Sequence, residues 1–188
     1  AHEQPAGPGP DPAGPGRGAP MNTASSPFEP VTIGPLTLRN RFIKSGANEA
    51  MCLDGRPTVA LLQHHSELAR GGVGMTTVAY MAVAPEGRTL PNQIWMRPDI
   101  LPDLQALTAA VHAGGAAISA QITHGGSFVT GMKVKGRTIS SSGGFNPAGM
   151  LKGNFLQRAM NAADMERVTA EFVAAARLAR DAGFDAVE

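Results

Sequence analysis

Two hydrophobic patterns alternate along residues 28–188 of the chain. Short apolar runs are typical of buried β-strands, and longer segments with apolar residues three and four positions apart are typical of amphipathic helices. A tight hairpin is predicted first, with Gly34-Pro35 between the apolar runs at 31–33 and 36–38. Further strands are predicted at 42–44, at 75–78, at 117–121 and from residue 184 or 185 onward. Because helical patterns separate these strands, we expect a parallel sheet that is covered by helices.

Each of the three predicted helices has sequence signals at its ends. The first is expected to begin at Pro57, the second near Pro102, and the third at Asn161, where Asp164 completes a capping box. All three are expected to end at glycines, which suit the turn that follows a helix. The predicted buried faces carry Val59, Leu61, Leu62 and Leu68 in the first helix, Leu104, Leu107 and Val111 in the second, and Met165, Val168, Phe172, Ala175, Ala176 and Ala179 in the third.

Two architectures fit this order of elements: an open doubly wound sheet, or the first half of an eight-unit barrel. The turn after the first strand, Ser45-Gly46-Ala47-Asn48, lacks the glycine spacing of a dinucleotide fingerprint. The hairpin before that strand suits a plug across the N-terminal mouth of a barrel. A complete barrel needs about 250 residues. We therefore predict an α/β fold, the N-terminal half of a TIM (β/α)8 barrel, with about four βα units and an unfinished fourth strand at Glu188.

Two segments fall outside the alternating pattern. Residues 1–26 are mostly Gly, Pro and Ala, so we expect a disordered tail there, followed by one domain over residues 27–188. Residues 122–160 are rich in Gly, Ser and Asn, and we expect a long functional loop.

Composition narrows the class of protein. The 188 residues are 43% hydrophobic, and 16 Lys and Arg nearly balance 15 Asp and Glu, which argues against a nucleic-acid partner. Cys52 is the single cysteine, which excludes a disulfide framework and a cysteine-based metal cluster, and we expect no metal site. No apolar run approaches the ~20 residues of a membrane span, and no secretory leader is visible. These features favour a cytoplasmic enzyme or binding domain.

Several segments carry a family resemblance, and they occur in the family's order and spacing. The run Leu38-Arg39-Asn40-Arg41-Phe42-Ile43-Lys44-Ser45 resembles the opening strand of the Old Yellow Enzyme family of NADH:flavin oxidoreductases. The run Gln121-Ile122-Thr123-His124-Gly125-Gly126 resembles the family's segment after strand three. The other matching segments are Asp54-Gly55-Arg56-Pro57-Thr58, Arg70-Gly71-Gly72-Val73-Gly74, Pro85-Glu86-Gly87-Arg88, Val111-His112-Ala113-Gly114-Gly115-Ala116 and Ala182-Gly183-Phe184-Asp185-Ala186-Val187-Glu188.

This resemblance implies a flavoenzyme. It implies a (β/α)8 barrel with FMN at the carboxyl ends of its strands, NAD(P)H as reductant, and hydride transfer from reduced flavin to an activated alkene. The cofactor supplies the redox chemistry, and the protein orients it and tunes it. The substrate is then a small molecule. The family's catalytic His-x-x-His or His-x-x-Asn pair is expected after Glu188, as are the phosphate-binding loops.

The same resemblance implies a set of cofactor-binding residues. Ser45, Gly46 and Ala47 match the turn whose backbone lies against the flavin ring, and Asn48 matches the position near a flavin carbonyl. Tyr80 occupies a position where the family usually has a small residue, so either the pocket is narrower here or Ala79 takes that place. Gln121 has an amide that suits the pyrimidine edge of the flavin. The complete set is Ser45, Gly46, Ala47, Asn48, Tyr80 and Gln121.

The histidines have competing interpretations. His124 follows strand three and either makes a structural hydrogen bond or contacts substrate or flavin. His64 and His65 are expected on the solvated face of the first helix. His112, near the end of the second helix, is expected to be structural. The basic residues of the long loop are expected to be solvated, or to steer a phosphorylated cofactor or a CoA ester; they are Lys133, Lys135 and Arg137.

Two functional hypotheses remain at this point. The first is the N-terminal part of an FMN-dependent, ene-reductase-like NAD(P)H oxidoreductase that a missing C-terminal half or a second chain completes. The alternative is a non-catalytic half-barrel module that binds no flavin by itself. Under either hypothesis the flanks of strands one and four are expected to be apolar and unpaired. We therefore also expect a partner or a homo-oligomer.

Overall fold

The structure is a computed structural model that describes residues 26–129, 138–147 and 156–188. The predicted disordered tail, up to residue 25, lies outside the described residues. So do Lys133, Lys135 and Arg137 of the basic run. In chain order the elements are β1 Val31–Ile33, β2 Leu36–Leu38, β3 Ile43–Lys44, β4 Cys52–Leu53, β5 Arg56–Pro57, α1 Val59–Arg70, β6 Met75–Ala82, α2 Leu101–Ala113, β7 Ala117–Thr123, β8 Thr138–Ser140, β9 Gly144–Phe145, β10 Leu156–Ala159, α3 Ala162–Asp181 and β11 Ala186–Val187.

A four-stranded parallel sheet organises the fold. Its strands lie in the order β11, β7, β6, β3, and the three neighbouring pairs are all parallel. Each step from one strand to the next along the chain passes through a helix, because parallel neighbours need a crossover connection. The predicted α/β fold with a parallel sheet is confirmed. Within the described residues, β3 and β11 each have one strand neighbour, so both outer edges of the sheet are unpaired.

Two antiparallel hairpins stand before the second strand of the sheet. The first, β1 and β2, is the predicted one, and its turn places Gly34 at φ +57°. The second, β4 and β5, was not predicted, and its Asp54-Gly55 turn has both residues at positive φ. Pro57 was expected to begin the first helix, but it pairs with Cys52 in this hairpin. Thr58 caps α1 instead, because its hydroxyl accepts the backbone N–H of Leu61.

The helices bury their predicted faces in most positions. Leu104, Leu107 and Val111 of α2 are fully buried. Two positions were wrong. Val59 is 72% exposed, because the buried stripe of α1 passes through other residues, and Met165 is 52% exposed, because α3 packs through its C-terminal half. The buried cluster that these helices form with β6 and β7 includes Leu61, Val78, Met81, Ile100, Leu104, Leu107, Val111, Ile118, Ala175 and Ala179.

Arg39 joins the C-terminal ends of α1 and α2. The Arg39 guanidinium donates to the carbonyl oxygens of Val73 at 2.8 Å and Gly114 at 3.1 Å, and also to that of Ala69. Asn40 donates to the carbonyl oxygen of Gly72 at 2.7 Å. These carbonyls lie at the ends of α1 and α2, where a helix leaves acceptors without internal partners. The run at 39–40 therefore fixes both helix ends against the strand that follows it.

The segment at 122–160 is not one structureless loop. Its described residues include β8, β9 and β10, which form a separate sheet in the order β8, β10, β9. The third helix follows it with the predicted capping box: Asn161 Oδ1 accepts the N–H of Asp164, and Asp164 Oδ2 accepts the N–H of Asn161. The polar composition concealed these strands because they are short, and because β9 and β10 are largely exposed.

Apolar side chains remain exposed near the two unpaired edges. Phe42 and Ile43 at β3 are each 44% exposed, and Val187 in β11 is 45% exposed. Both flanks therefore have the apolar, unpaired character that the sequence predicted. Among the described helices, none has the combination of length and hydropathy that a membrane crossing requires.

Candidate cofactor site

The second strand of the sheet carries a β-bulge at its carboxyl end. Val78 pairs with Ala120 and Met81 pairs with Ile122, so Ala79 and Tyr80 together face Gln121 alone. Tyr80 takes φ +54°, a conformation that costs a residue with a side chain about 1–3 kcal/mol. Bulges often stand next to active sites, because they redirect a side chain. Here the bulge turns Tyr80 outward, with 38% of the residue exposed, while Ala79 is buried.

Two side chains hold the bulge in place. Glu49, in the segment after β3, accepts the N–H of Ala79 at Oε2 over 3.3 Å. Gln121 accepts the N–H of Tyr80 at Oε1, also over 3.3 Å. Backbone donors that a bulge removes from the ladder need such partners when they are buried. The segment after β3 and strand β7 therefore fix the position of Tyr80 from the two sides of β6.

Gln121 contacts two of the other predicted residues, Tyr80 and Gly46. Besides accepting from Tyr80, it donates from Nε2 to Glu188 Oε1 at 2.7 Å. Gly46 lies against the same amide, since a Cβ atom at residue 46 would stand 2.7 Å from Nε2 and Oε1. The structure thus brings Gly46, Tyr80 and Gln121 together. Tyr80 rather than Ala79 is the exposed residue of the bulge.

A cavity of about 600 Å³ opens beside this group. Three of the predicted residues, Asn48, Tyr80 and His124, are part of its wall. Ser45 and Ala47 are exposed on the segment after β3 and do not belong to the cavity lining that the described residues form. The full lining is Asn48, Tyr80, Thr89, Leu90, Thr123, His124, Gly125 and Phe128. It therefore lies along the carboxyl ends of β6 and β7.

His124 combines a structural contact with a place in the cavity wall. Its Nδ1 accepts the N–H of Gly126 at 3.2 Å, which assigns the proton of the neutral ring to Nε2. Burial lowers the pKa of His124, while the charges of Glu86 and Glu171 act in the opposite direction. The Nε2 atom is buried and has no hydrogen-bond partner among the described residues. His124 therefore lines the cavity, while its Nε2 atom is turned away from solvent.

Below the bulge lies a buried polar group that the sequence did not predict. The ammonium of Lys44 contacts Glu49 Oε1 and also donates to the carbonyl oxygen of Thr77 at 3.0 Å. His65 Nε2 lies 3.8 Å from the same Glu49 oxygen, and His65 Nδ1 is 2.8 Å from Thr76 Oγ1. Lys44 and Glu49 keep only 18% and 7% of their side chains exposed. A buried charged pair of this kind is satisfied only when both partners are present.

The expectation that His65 is solvated was wrong. Its side chain is fully buried, and burial, with smaller effects from Lys44 and His64, lowers its pKa to about 3. The spacing contained a signal for this position: Leu61, His65 and Ala69 are four residues apart, and all three are buried on one face of α1. His64 is partly buried beside it.

Three potential metal ligands meet in this group. Side-chain atoms of Glu49, His64 and His65 lie within 4.8 Å of one another. The ammonium of Lys44 contacts Glu49 there, so this carboxylate already has a positively charged partner. We assign the group to an ion pair below the bulge.

His112 has the structural role that the sequence predicted. Its Nε2 lies 2.9 Å from Asp185 Oδ2, and the same oxygen accepts the N–H of Ile118 at 2.8 Å. The aspartate therefore joins the end of α2 to the start of β7, away from the cavity.

A parallel sheet with polar side chains at its carboxyl edge is the arrangement of cofactor-binding α/β barrels. The chain belongs to the NADH:flavin oxidoreductase / NADH oxidase family, whose model matches residues 26–188. This is a family of FMN-dependent oxidoreductases that use a nicotinamide reductant. The resemblance stated from the motifs is confirmed.

Individual relatives agree with this assignment. The chain is 43% identical to a 4,4'-dithiodibutanoate disulfide reductase of Rhodococcus erythropolis over 172 residues, 89% of this chain and 41% of the relative. It is 33% identical over 177 residues to an NADPH dehydrogenase of Geobacillus thermodenitrificans. That match covers 89% of this chain and 48% of the relative. The crystal structure of Old Yellow Enzyme from Pichia sp. AKU4542 superposes with a TM-score of 0.78 at 23% identity, covering 86% of this chain and 44% of that one.

These comparisons define the fold and the extent of the match. The likeness to Old Yellow Enzyme shows that the described α/β fold is that of a TIM barrel. The chain spans less than half the length of the curated relatives it matches.

Proposed function

We propose that this chain forms one wall of the FMN site of an ene-reductase-like NAD(P)H oxidoreductase. The observation that carries the proposal is the meeting of Gly46, Tyr80 and Gln121 at the carboxyl edge of the sheet, beside a cavity of about 600 Å³. That volume lies within the range of about 300–1,000 Å³ of small-molecule and cofactor sites.

The residues present fit the ring system of a flavin. Gln121 would face its pyrimidine edge, with Gly46 giving close access to the backbone, as the absence of a Cβ there allows. Asn48 and Tyr80 would line the same side, and His124 would stand at the edge of the cavity. When bound and reduced by NAD(P)H, FMN would supply the hydride for an activated alkene. The chain's own contribution is to bind and orient the flavin.

We further propose that another polypeptide segment, in the same protein or in a second chain, completes the barrel. The unpaired edges of β3 and β11 support this, with Phe42, Ile43 and Val187 exposed beside them. Unpaired strands with apolar side chains are sites at which further strands add. The catalytic pair and the phosphate-binding loops expected from the family would belong to that segment.

A disulfide is a second candidate substrate, because the relative at 43% identity is named a disulfide reductase. The chain's own thiol does not suit disulfide exchange. Burial, with the charge of Glu49, raises the pKa of Cys52 to about 12, so it holds its proton at neutral pH. A disulfide would therefore receive its electrons from the flavin, with one hydride and one proton cleaving the S–S bond into two thiols.

Flavin binding and turnover test the proposal. The chain is purified alone and together with a polypeptide that completes the barrel, and its visible flavin absorbance is recorded. We expect flavin in the completed protein, and oxidation of NAD(P)H with an activated alkene or with 4,4'-dithiodibutanoate. Absence of flavin even from the completed protein would refute the hypothesis of an FMN-dependent enzyme and would favour a non-catalytic half-barrel module. Retention of flavin by the isolated chain would refute the need for a completing segment.

A further inference from the structure

We infer that Glu49 is a positioning residue for the cofactor site, acting through the bulge that carries Tyr80. The inference rests on the proposed function for its effect on flavin, but its structural part can be tested without any cofactor. Glu49 itself does not line the cavity of about 600 Å³, so its influence passes through residues that it bonds.

The two carboxylate oxygens of Glu49 have separate tasks. Oε2 accepts the N–H of Ala79 at 3.3 Å, and Ala79 is the first of the two residues in the bulge. Oε1 contacts the ammonium of Lys44 and lies 3.8 Å from His65 Nε2. The side chain is 7% exposed, so water has little access to replace either contact. One carboxylate therefore joins the segment after β3 to the bulge in β6.

The charge of Glu49 is balanced within the same group. Lys44 supplies the opposite charge and is itself held by the carbonyl oxygen of Thr77, in the strand that carries the bulge. The ion pair therefore anchors the carboxylate to β6 at residue 77 while the other oxygen reaches residue 79. Without Glu49, the buried N–H of Ala79 would lose its acceptor, and Lys44 would lose its counter-ion.

The consequence reaches the cavity through Tyr80. Tyr80 is held in a left-handed conformation between two hydrogen bonds: its own N–H donates to Gln121, and the preceding N–H, of Ala79, donates to Glu49. A left-handed residue with a side chain persists only where its surroundings fix it. When the Glu49 contact is removed, Ala79 and Tyr80 are free to relax, and the aromatic ring in the cavity wall moves with them.

Amide hydrogen exchange on the 188-residue chain tests the structural step. In Glu49→Ala we expect the amides of Ala79 and Tyr80 to exchange at least about tenfold faster than in the parent. Glu49→Gln keeps a carbonyl oxygen as acceptor and should recover most of the protection. Glu67→Ala, which removes an exposed carboxylate from α1, is the matched control and should leave both amides unchanged. The amide of Val111, in the core of α2, reports whether a variant remains folded.

Flavin affinity tests the functional step, measured by fluorescence titration of FMN into the completed protein. We expect Glu49→Ala to raise the dissociation constant about tenfold, Glu49→Gln to raise it less, and Glu67→Ala to leave it unchanged. Unchanged exchange at Ala79 and Tyr80 in Glu49→Ala, with Val111 still protected, would overturn the inference. So would faster exchange with no change in flavin affinity. A parent protein that binds no FMN would instead refute the proposed function, and the exchange result would still decide the role of Glu49.

Discussion

The backbone N–H of Tyr80 donates to the side-chain oxygen of Gln121 across two neighbouring parallel strands, over 3.3 Å. This bond replaces a ladder bond that the bulge in β6 removes, because Ala79 and Tyr80 together face one residue of β7. The Gln121 side chain in this way helps to determine the backbone conformation at Tyr80, which lines the cavity. The position of Tyr80 and the orientation of the Gln121 amide are therefore coupled.

Replacement of Gln121 by Ala should weaken flavin binding in the completed protein. The variant loses the acceptor of the Tyr80 N–H and the donor to Glu188, and we expect the dissociation constant of FMN to rise about tenfold or more. Gln121→Glu keeps an acceptor but places a carboxylate opposite Glu188, so it should not restore affinity. Gln105→Ala is the matched control, because that glutamine bonds the carbonyl of Asp181 away from the cavity. Fluorescence titration with FMN measures the dissociation constant of all three variants. A dissociation constant of Gln121→Ala equal to that of the parent would contradict the proposed contact between Gln121 and flavin.

A methyl group at residue 46 should act on the same amide. In Gly46→Ala the new Cβ would stand 2.7 Å from the Gln121 amide atoms, which must move because their side chain is more flexible than the backbone. We expect a loss of flavin affinity similar to that of Gln121→Ala, with little change in the free energy of unfolding. A double-mutant cycle with Gln121→Ala provides the control, since residues in contact give non-additive effects. Additive losses in that cycle would show that Gly46 acts elsewhere.

Loss of the Arg39 guanidinium should destabilise the fold without a direct effect at the cavity. Its bonds to three carbonyls at the ends of α1 and α2 disappear in Arg39→Ala, and we expect the free energy of unfolding to fall by about 1–3 kcal/mol. Arg39→Lys should recover only part of this, because an ammonium cannot reproduce the planar fork. Arg41→Ala, in an exposed neighbour, is the control. Urea denaturation measures each variant, and equal stability of Arg39→Ala and Arg41→Ala would contradict the expectation.

His65 should make the fold less stable in acid. Its pKa is lowered to about 3 in the folded chain, from an unfolded value of about 6.5, so the unfolded chain binds one proton more between these values. The contribution of His65 is therefore complete above about pH 6.5 and is lost as the pH falls toward 3, with a slope of at most about 1.4 kcal/mol per pH unit. His65→Gln should remove this part of the pH dependence of unfolding, whereas His64→Gln should keep it. If the free energy of unfolding depended on pH in the same way in the parent and in His65→Gln, the contribution of His65 to acid sensitivity would be refuted.

Much of the fold was predictable because it depends on local pattern. The period of the apolar residues in α2 identified a helix with Leu104, Leu107 and Val111 inside, and the capping box at Asn161 located the start of α3. Alternation of helices and strands then required a parallel sheet. Pro57 misled the prediction, since a proline fits a hairpin strand as well as a first helical turn, and only tertiary pairing with Cys52 decides between them.

Part of the cavity wall was predictable, because Asn48, Tyr80 and His124 were among the residues that the motifs indicated, but the construction of the site was not. Gly46, Tyr80 and Gln121 came from the family's motifs, whereas the bulge that joins them lies beyond the strand predicted at 75–78, in the part of β6 that the pattern did not indicate. Glu49 was missed for a similar reason. Nothing in its neighbours along the chain indicates that its carboxylate is buried, because its partner Ala79 is 30 residues away. Contacts of that kind exist only after the strands have assembled.

The bonds of Arg39 also set an order in which the molecule can assemble during synthesis. Arg39 leaves the ribosome early, but its carbonyl partners follow 30, 34 and 75 residues later. The guanidinium can therefore bond the end of α1 early, but its bond to Gly114 waits until α2 has been made, so two βα units must form before all three contacts are complete. Contacts over such separations slow folding, because the entropy of closing a long loop is lost before the bonds form.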